Sequence, residues 1–128
     1  MEITVGMKGT ATVIVDESNT ASAMCSGCLP VFATPCMVAL MEAAAQNAIA
    51  QAIPEDKSTV GTEISVRHVS ASPIGMEIRA EAEVIAVDGK ITEFAVHAYD
   101  QAGLIGEGTH KRATITVQRF LERTQEKL

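Results

Sequence analysis

Between Pro35 and Ile53 the chain carries one charged residue, Glu42, and no other feature constrains the fold as strongly. Thr34-Pro35 reads as a helix start, because a threonine hydroxyl can cap an orphan N–H and a proline at the first helical position has no N–H to lose. Cys36 to Ile53 is therefore predicted helical, ended by Pro54-Glu55-Asp56. A helix that is apolar almost all round is a buried one. The rest of the 128 residues must cover it.

The covering material reads as β. Thr10-Ala-Thr-Val-Ile-Val15 alternates and is β-branched, which predicts a strand from near Lys8 to the turn-prone Asp16-Glu-Ser-Asn19. Four strand-like runs follow the helix: Ser58 to Ala71, Met76 to Val87, Lys90 to Gln101 and Leu104 to Gln118. Ser72-Pro73-Ile-Gly75, Asp88-Gly89 and Ala102-Gly103 divide them, and Asp-Gly between alternating segments signals a two-residue hairpin. The sheet is thus predicted to be mainly an antiparallel meander. Arg119 to Leu128 reads as a short amphipathic helix making contact through Phe120, Leu121 and Leu128. Ser18 to Ala33 has no charge and, with Gly27 and Pro30, no sustained period, so it is expected to be a flap suited to an apolar ligand.

A strand, a buried helix and four more strands make one α+β domain over residues 1–128, with an antiparallel sheet wrapped around a long central helix. That is the order of a hot-dog fold, although another α+β sandwich fits the same pattern. With 47% apolar residues but 3% aromatic, the core must be built from Ala, Val, Ile, Met and Leu. So thin a core favours burial at a shared interface, hence a homodimer or a tetramer. The net charge of −6, with ten scattered Lys and Arg, argues against nucleic acid as a partner. No run approaches the ~20 apolar residues of a membrane span, and the N-terminus lacks a signal-peptide pattern. A cytoplasmic location is expected, in keeping with three cysteines that make no disulfide framework. Cys25-x-x-Cys28 is a single pair, too few ligands for structural zinc and followed by Leu29-Pro30 rather than a helix, so no metal is expected.

Glu42 must be paired, protonated or exposed, since an unpaired buried charge is costly. It can lie on a solvated stripe, pair with an arginine such as Arg67, or serve as a catalytic carboxylate. His68 falls on the strand face shared by Val60, Thr62, Ile64, Val66 and Ser70. A histidine there is either a satisfied core residue or a catalyst facing the helix that carries Glu42. Thr34 is explained as a cap, yet a helix N-terminus also suits an anion, and the amides of Cys36 and Met37 are the expected donors.

Three segments now bear on function: Leu29-Pro-Val-Phe-Ala-Thr-Pro-Cys-Met-Val-Ala-Leu-Met-Glu-Ala43, Val60-Gly-Thr-Glu-Ile-Ser-Val-Arg-His68 and Gly106-Glu-Gly-Thr-His-Lys-Arg112. They resemble the hot-dog thioesterases related to fluoroacetyl-CoA thioesterase. The resemblance implies that Thr34, Glu42 and His68 are the catalytic set, that Gly61 is the glycine of that pattern, and that His110, Lys111 and Arg112 lie near the coenzyme A tail. It implies hydrolysis of an acyl-CoA to a carboxylic acid and free CoA, with no cofactor apart from the CoA of the substrate. The fluoroacetyl-specific enzyme carries phenylalanines in a lid, whereas this flap reads Met24-Cys-Ser-Gly-Cys-Leu-Pro30 with Phe32 its only aromatic, a departure that bears against specificity for fluoroacetate; the flap and the small Ala-rich lining point to a short or medium acyl group.

Eight residues along a helix separate the Thr34 and Glu42 backbones by about 12 Å. The two cannot share a hydrogen bond within one chain, and each site is expected to be composite, with Glu42 facing Thr34 of a second copy across a two-fold interface. A non-catalytic acyl-CoA-binding or regulatory module is the alternative. Hot-dog hydratases place a His five residues after an Asp, and none follows Asp16, Asp56, Asp88 or Asp100.

Overall fold

In the computed structural model, which describes residues 1–128, the central helix α1 spans Thr34–Ile49 and continues as a single 3₁₀ turn, Ala50–Ala52. The helical path stops short of the predicted Ile53, which is extended (φ −98°, ψ 119°) because the ring of a following proline disfavours the α region. At the other end Ala33, not Thr34, is the cap residue: it is extended, Pro35 sits inside the first turn, and no side chain caps the helix. The Thr34 hydroxyl is thereby left free to bond elsewhere.

The strands are β1 (Lys8–Ile14), β2 (Lys57–His68), β3 (Glu77–Asp88), β4 (Ile91–Asp100) and β5 (Gly103–Thr116), followed by helix α2 (Val117–Gln125). All pairings are antiparallel, in the order β1-β3-β4-β5-β2. β3, β4 and β5 form the predicted meander, with Gly89 at φ +60° in the Asp88–Ile91 hairpin as such tight turns demand. β2 departs from it. It lies on the far edge beside β5, so the chain between His68 and Glu77 crosses from that edge to β3. Hydrophobic alternation says which face a strand buries but nothing about its neighbours.

Met37, Met41, Ala44, Ala45 and Ile49 of α1 are buried against Ile78, Ala80, Ala82, Val84, Phe94, Val96, Ala98 and Ile105. Ala80 opposes Ala98 across β3 and β4, a small-residue floor on which flexible methionines fill the remaining space. This is the hot-dog arrangement. The helix is enclosed on one face only: Pro35, Ala39, Gln46 and Asn47 are exposed, and Val38, Glu42 and Ala43 half-buried. The predicted contacts of α2 do not form in this chain, since Phe120, Leu121 and Leu128 are 37%, 56% and 101% exposed. No helix is long and apolar enough to cross a membrane.

A bulge between Gly61 and Glu63 breaks the single alternation expected of β2. Beyond it Ile64, Val66 and His68 are half-buried as predicted, but before it Gly61 rather than Thr62 faces the helix.

Candidate active site

The flap reaches α1 under restraint. Thr20 bridges to Phe32, Ala33 N–H donates to Asn19 O and Phe32 N–H to Ser72 O, both at 2.9 Å. Phe32 itself is buried in the core. These bonds set the first residue of the helix opposite the last residue of β2: Thr34 Oγ1 is 2.9 Å from His68 Nδ1. Both residues line a cleft of ≈ 260 Å³ shared with Ala21, Ser26, Phe32 and Ser70.

Burial holds the His68 pKa below the ordinary 6.5, against a smaller opposing pull from the Ser70 main chain. The ring is therefore neutral at neutral pH and retains a lone pair for a proton. Its Nε2 is buried and has no hydrogen-bond partner. The predicted anion donors are occupied: the amides of Cys36 and Met37 both donate to Ala33 O at 3.0 Å. Pro35 has no N–H, which leaves Thr34 N–H as the first-turn amide without a protein acceptor.

Glu42 belongs to a second cluster. Its Oε2 accepts from Arg112 Nη1 at 3.2 Å, whereas Arg67, the partner suggested by the sequence, pairs with Glu107 on the surface at 3.3 Å. Arg112 also donates from Nε to Thr59 Oγ1 (2.9 Å) and from Nη2 to Thr59 O (3.0 Å). His110 Nδ1 is 2.8 Å from Glu63 O, and its Nε2 is 3.1 Å from Arg112 Nη1. A carbonyl only accepts, so the ring hydrogen sits on Nδ1, and Nε2 accepts from the guanidinium.

The resemblance places these two residues, with Lys111, near the coenzyme A tail. His110 and Arg112 are 2% and 4% exposed, with their polar atoms committed inside the chain. Strand alternation puts Lys111, half-buried, on the opposite face. Burial lowers the pKa of Arg112, and the nearby Glu42 carboxylate acts against that shift. The pairing of a buried cation with a half-exposed carboxylate avoids leaving an uncompensated charge in the core. Gly61 makes the close approach possible. A Cβ there would lie under 3.0 Å from Glu42 Oε2 and 3.2 Å from His110 Cε1.

Two groups of polar residues thus sit on one helix: Thr34 with His68 at its start, and Glu42 with Arg112, His110 and Thr59 at its middle. No hydrogen bond joins them, and the three residues singled out as catalytic do not converge within one chain. Among the other candidates, Cys36 is half-buried, Met37 is wholly buried in the core, and Cys25 and Cys28 are exposed. The sequence carried one sign of the Arg112 cluster: His110 and Arg112, two apart on a strand, share a face that can meet the one acid of an otherwise apolar helix.

The model of the family described as "Fluoroacetyl-CoA-specific thioesterase" matches residues 15–118. A curated protein, "Fluoroacetyl-CoA thioesterase" of Streptantibioticus cattleyicolor, is 38% identical over 97 residues, covering 76% of this chain and 70% of that protein. Among solved structures, the fluoroacetyl-CoA thioesterase FlK is similar with a TM-score of 0.93 at 32% identity, covering 100% of this chain and 99% of that one. A Thermus thermophilus protein described as a thioesterase superfamily member has a TM-score of 0.88 at 26% identity, with 98% and 95% covered.

Proposed function

The chain belongs to the fluoroacetyl-CoA-specific thioesterase family and is a thioester hydrolase, and from that premise we propose that it cleaves the CoA thioester of a short or medium carboxylic acid at a site shared between two copies. Thr34 and His68 come from one copy and Glu42 from the other. The observation that carries this reading is the 2.9 Å contact between Thr34 Oγ1 and His68 Nδ1 at a helix N-terminus, on the wall of a cleft.

In the reaction, His68 Nδ1 takes the proton of Thr34 or of a water that Thr34 holds, and the oxygen so activated attacks the thioester carbon. The neutral state that burial imposes on His68 is the state a base requires. The Thr34 amide, at the positive end of α1, is the donor for the oxyanion. Collapse of the intermediate breaks the C–S bond, and the thiolate leaves as free CoA after taking a proton. Where Thr34 is the attacking oxygen, the acyl group is left as its ester, and a water activated by His68 then hydrolyses that ester and returns the hydroxyl; on either route water supplies the oxygen of the acid and nothing else is consumed.

Glu42 orients and charge-balances the histidine of the second copy, or acts on the attacking water itself. The half-exposed position of its carboxylate, on the uncovered stripe of α1, supports delivery to a second molecule, as does the ~12 Å that separates it from Thr34 in its own chain. The acyl group would occupy the cleft beside Ala21 and Phe32, with Lys111 a candidate contact for the CoA tail.

The test is thiol release from acyl-CoAs of graded length and polarity by the native protein, His68→Ala and Glu42→Ala. Falls of ~100-fold or more in both variants, with folding intact, are expected. Absence of turnover, with acyl-CoA still raising the melting temperature, would make the chain a binding module.

A further inference from the structure

The guanidinium of Arg112 has five N–H donors in a fixed planar fork. Nε–H goes to Thr59 Oγ1 and one Nη2–H to Thr59 O. Nη1 has two hydrogens and two acceptors, Glu42 Oε2 at 3.2 Å and His110 Nε2 at 3.1 Å. Because the two Nη1–H directions are rigidly related, the bond to His110, together with the two bonds to Thr59, fixes the direction of the bond that Glu42 receives. His110 is held in turn by Nδ1–H to Glu63 O at 2.8 Å and by stacking on Phe94, with centroids 6.0 Å apart and planes inclined at 27°.

We propose that His110 is a positioning residue for Glu42, acting as a neutral acceptor that orients Arg112 Nη1, and that its protonation releases the carboxylate and switches the site off in acid. The consequence for turnover rests on the thioesterase reading above; the bonding arrangement does not.

The groups that face His110 are Arg112 from its own strand, Glu42 from α1, Gly61 and the Glu63 main chain from β2, and Phe94 from β4. Of these Arg112 and Glu42 are charged. With a hydrogen on both nitrogens, Nε2–H would oppose Nη1–H across 3.1 Å, two donors and two positive charges face to face. Glu42 Oε2, 3.9 Å from Nε2, would be drawn toward the imidazolium and away from Arg112. Burial already holds His110 below the ordinary 6.5, with the Glu63 bond and Glu42 pulling up and Arg112 pushing down. The switch accordingly lies on the acid side of that value.

The experiment measures kcat and KM from pH 5 to 8 on the best thioester of the panel for the native protein, His110→Asn and His110→Gln. Melting temperatures confirm folding, and side-chain ¹⁵N resonances of His110 are recorded in the native protein. Asparagine retains a donor near Glu63 O but has no acceptor where Nε2 was. Its kcat should fall about 10- to 100-fold, the loss of one charge-assisted hydrogen bond, with KM within about twofold. Glutamine places a carbonyl oxygen near the Nε2 position and cannot titrate. It should recover most of the lost kcat, and its acid limb should be one proton shallower than that of the native enzyme.

A His110→Asn variant with native kcat overturns the proposal. So does a folded His110→Gln variant as slow as His110→Asn, or a native acid limb no steeper than that of His110→Gln. If the native protein turns over no thioester, the functional reading fails and the resonances decide the arrangement alone. An unprotonated Nε2 at pH 7.5 whose shift responds to Arg112→Lys supports it, and a protonated Nε2 at that pH overturns it.

Discussion

Replacing Gly61 by alanine separates the position of the Glu42 carboxylate from the stability of the fold. The added Cβ would meet Arg112 Nη1 at 3.4 Å, an ordinary contact, and His110 Cε1 at 3.2 Å, which asks the ring to yield by a few tenths of an ångström. Glu42 Oε2 is the serious collision, under 3.0 Å, and must retreat by about 1 Å to reach ordinary contact. It is the end of a flexible side chain, so retreat is cheap in conformational energy, but it carries the oxygen away from the Arg112 bond.

Gly61 does not have a positive φ, so alanine adds no left-handed strain and gains roughly 0.4–1 kcal/mol by restricting the unfolded chain. Set against about 1–3 kcal/mol for overpacking, the net destabilisation is about 0–2.6 kcal/mol, a melting shift of at most about 10 degrees. A catalytic group displaced by about 1 Å costs on the order of 100-fold in rate. Thiol release and thermal melting should therefore diverge: kcat down about 100-fold, fold nearly intact. Thr62→Ala, at the exposed neighbour beside the bulge, should stay within about twofold of native kcat. A Gly61→Ala protein that melts lower yet keeps native kcat would refute the reasoning, because the carboxylate position would then not matter to the reaction.

Thr34→Val keeps the shape and removes the hydroxyl that meets His68 Nδ1; kcat should fall ~100-fold or more while urea unfolding shifts by less than about 1 kcal/mol at this exposed residue. Mixing inactive Thr34→Ala with inactive Glu42→Ala subunits, unfolded and refolded together, should restore about one quarter of native activity, since half of randomly paired dimers are mixed and each has one intact composite site; no recovery in verified mixed dimers would place all three groups in one chain. His68 and His110 both have folded pKa values depressed below 6.5 by burial. Between the folded and unfolded values the unfolded chain binds more protons, so stability is full above about 6.5 and is lost as pH falls through the folded values. Urea midpoints between pH 7.5 and 5 check this, and a midpoint that rises on acidification contradicts it.

The elements that carry Thr34, Glu42 and His68 could be read in the linear chain because local rules place them. A helix with one charge has to be buried on at least one face, Asp88-Gly89 has to turn, and a Thr-Pro entry puts Thr34 at a helix start whichever residue caps it. Eight helical residues between Thr34 and Glu42 already forbade direct contact in one chain. What the sequence could not express depends on long-range registration. Arg112 rather than Arg67 meets Glu42 because β2 pairs with β5, 70 residues from the helix acid, and because one extra residue at the Gly61 bulge resets which side chains of β2 face inward. The amides of Cys36 and Met37 are occupied because the cap falls on Ala33, a shift of one residue that is indifferent in the sequence and decisive in hydrogen bonding. Local pattern determined which elements form and which faces they bury. Only the packed sheet decided which polar atoms meet, because a bond at 3 Å depends on register and strand order, and neither leaves a periodic trace in the chain.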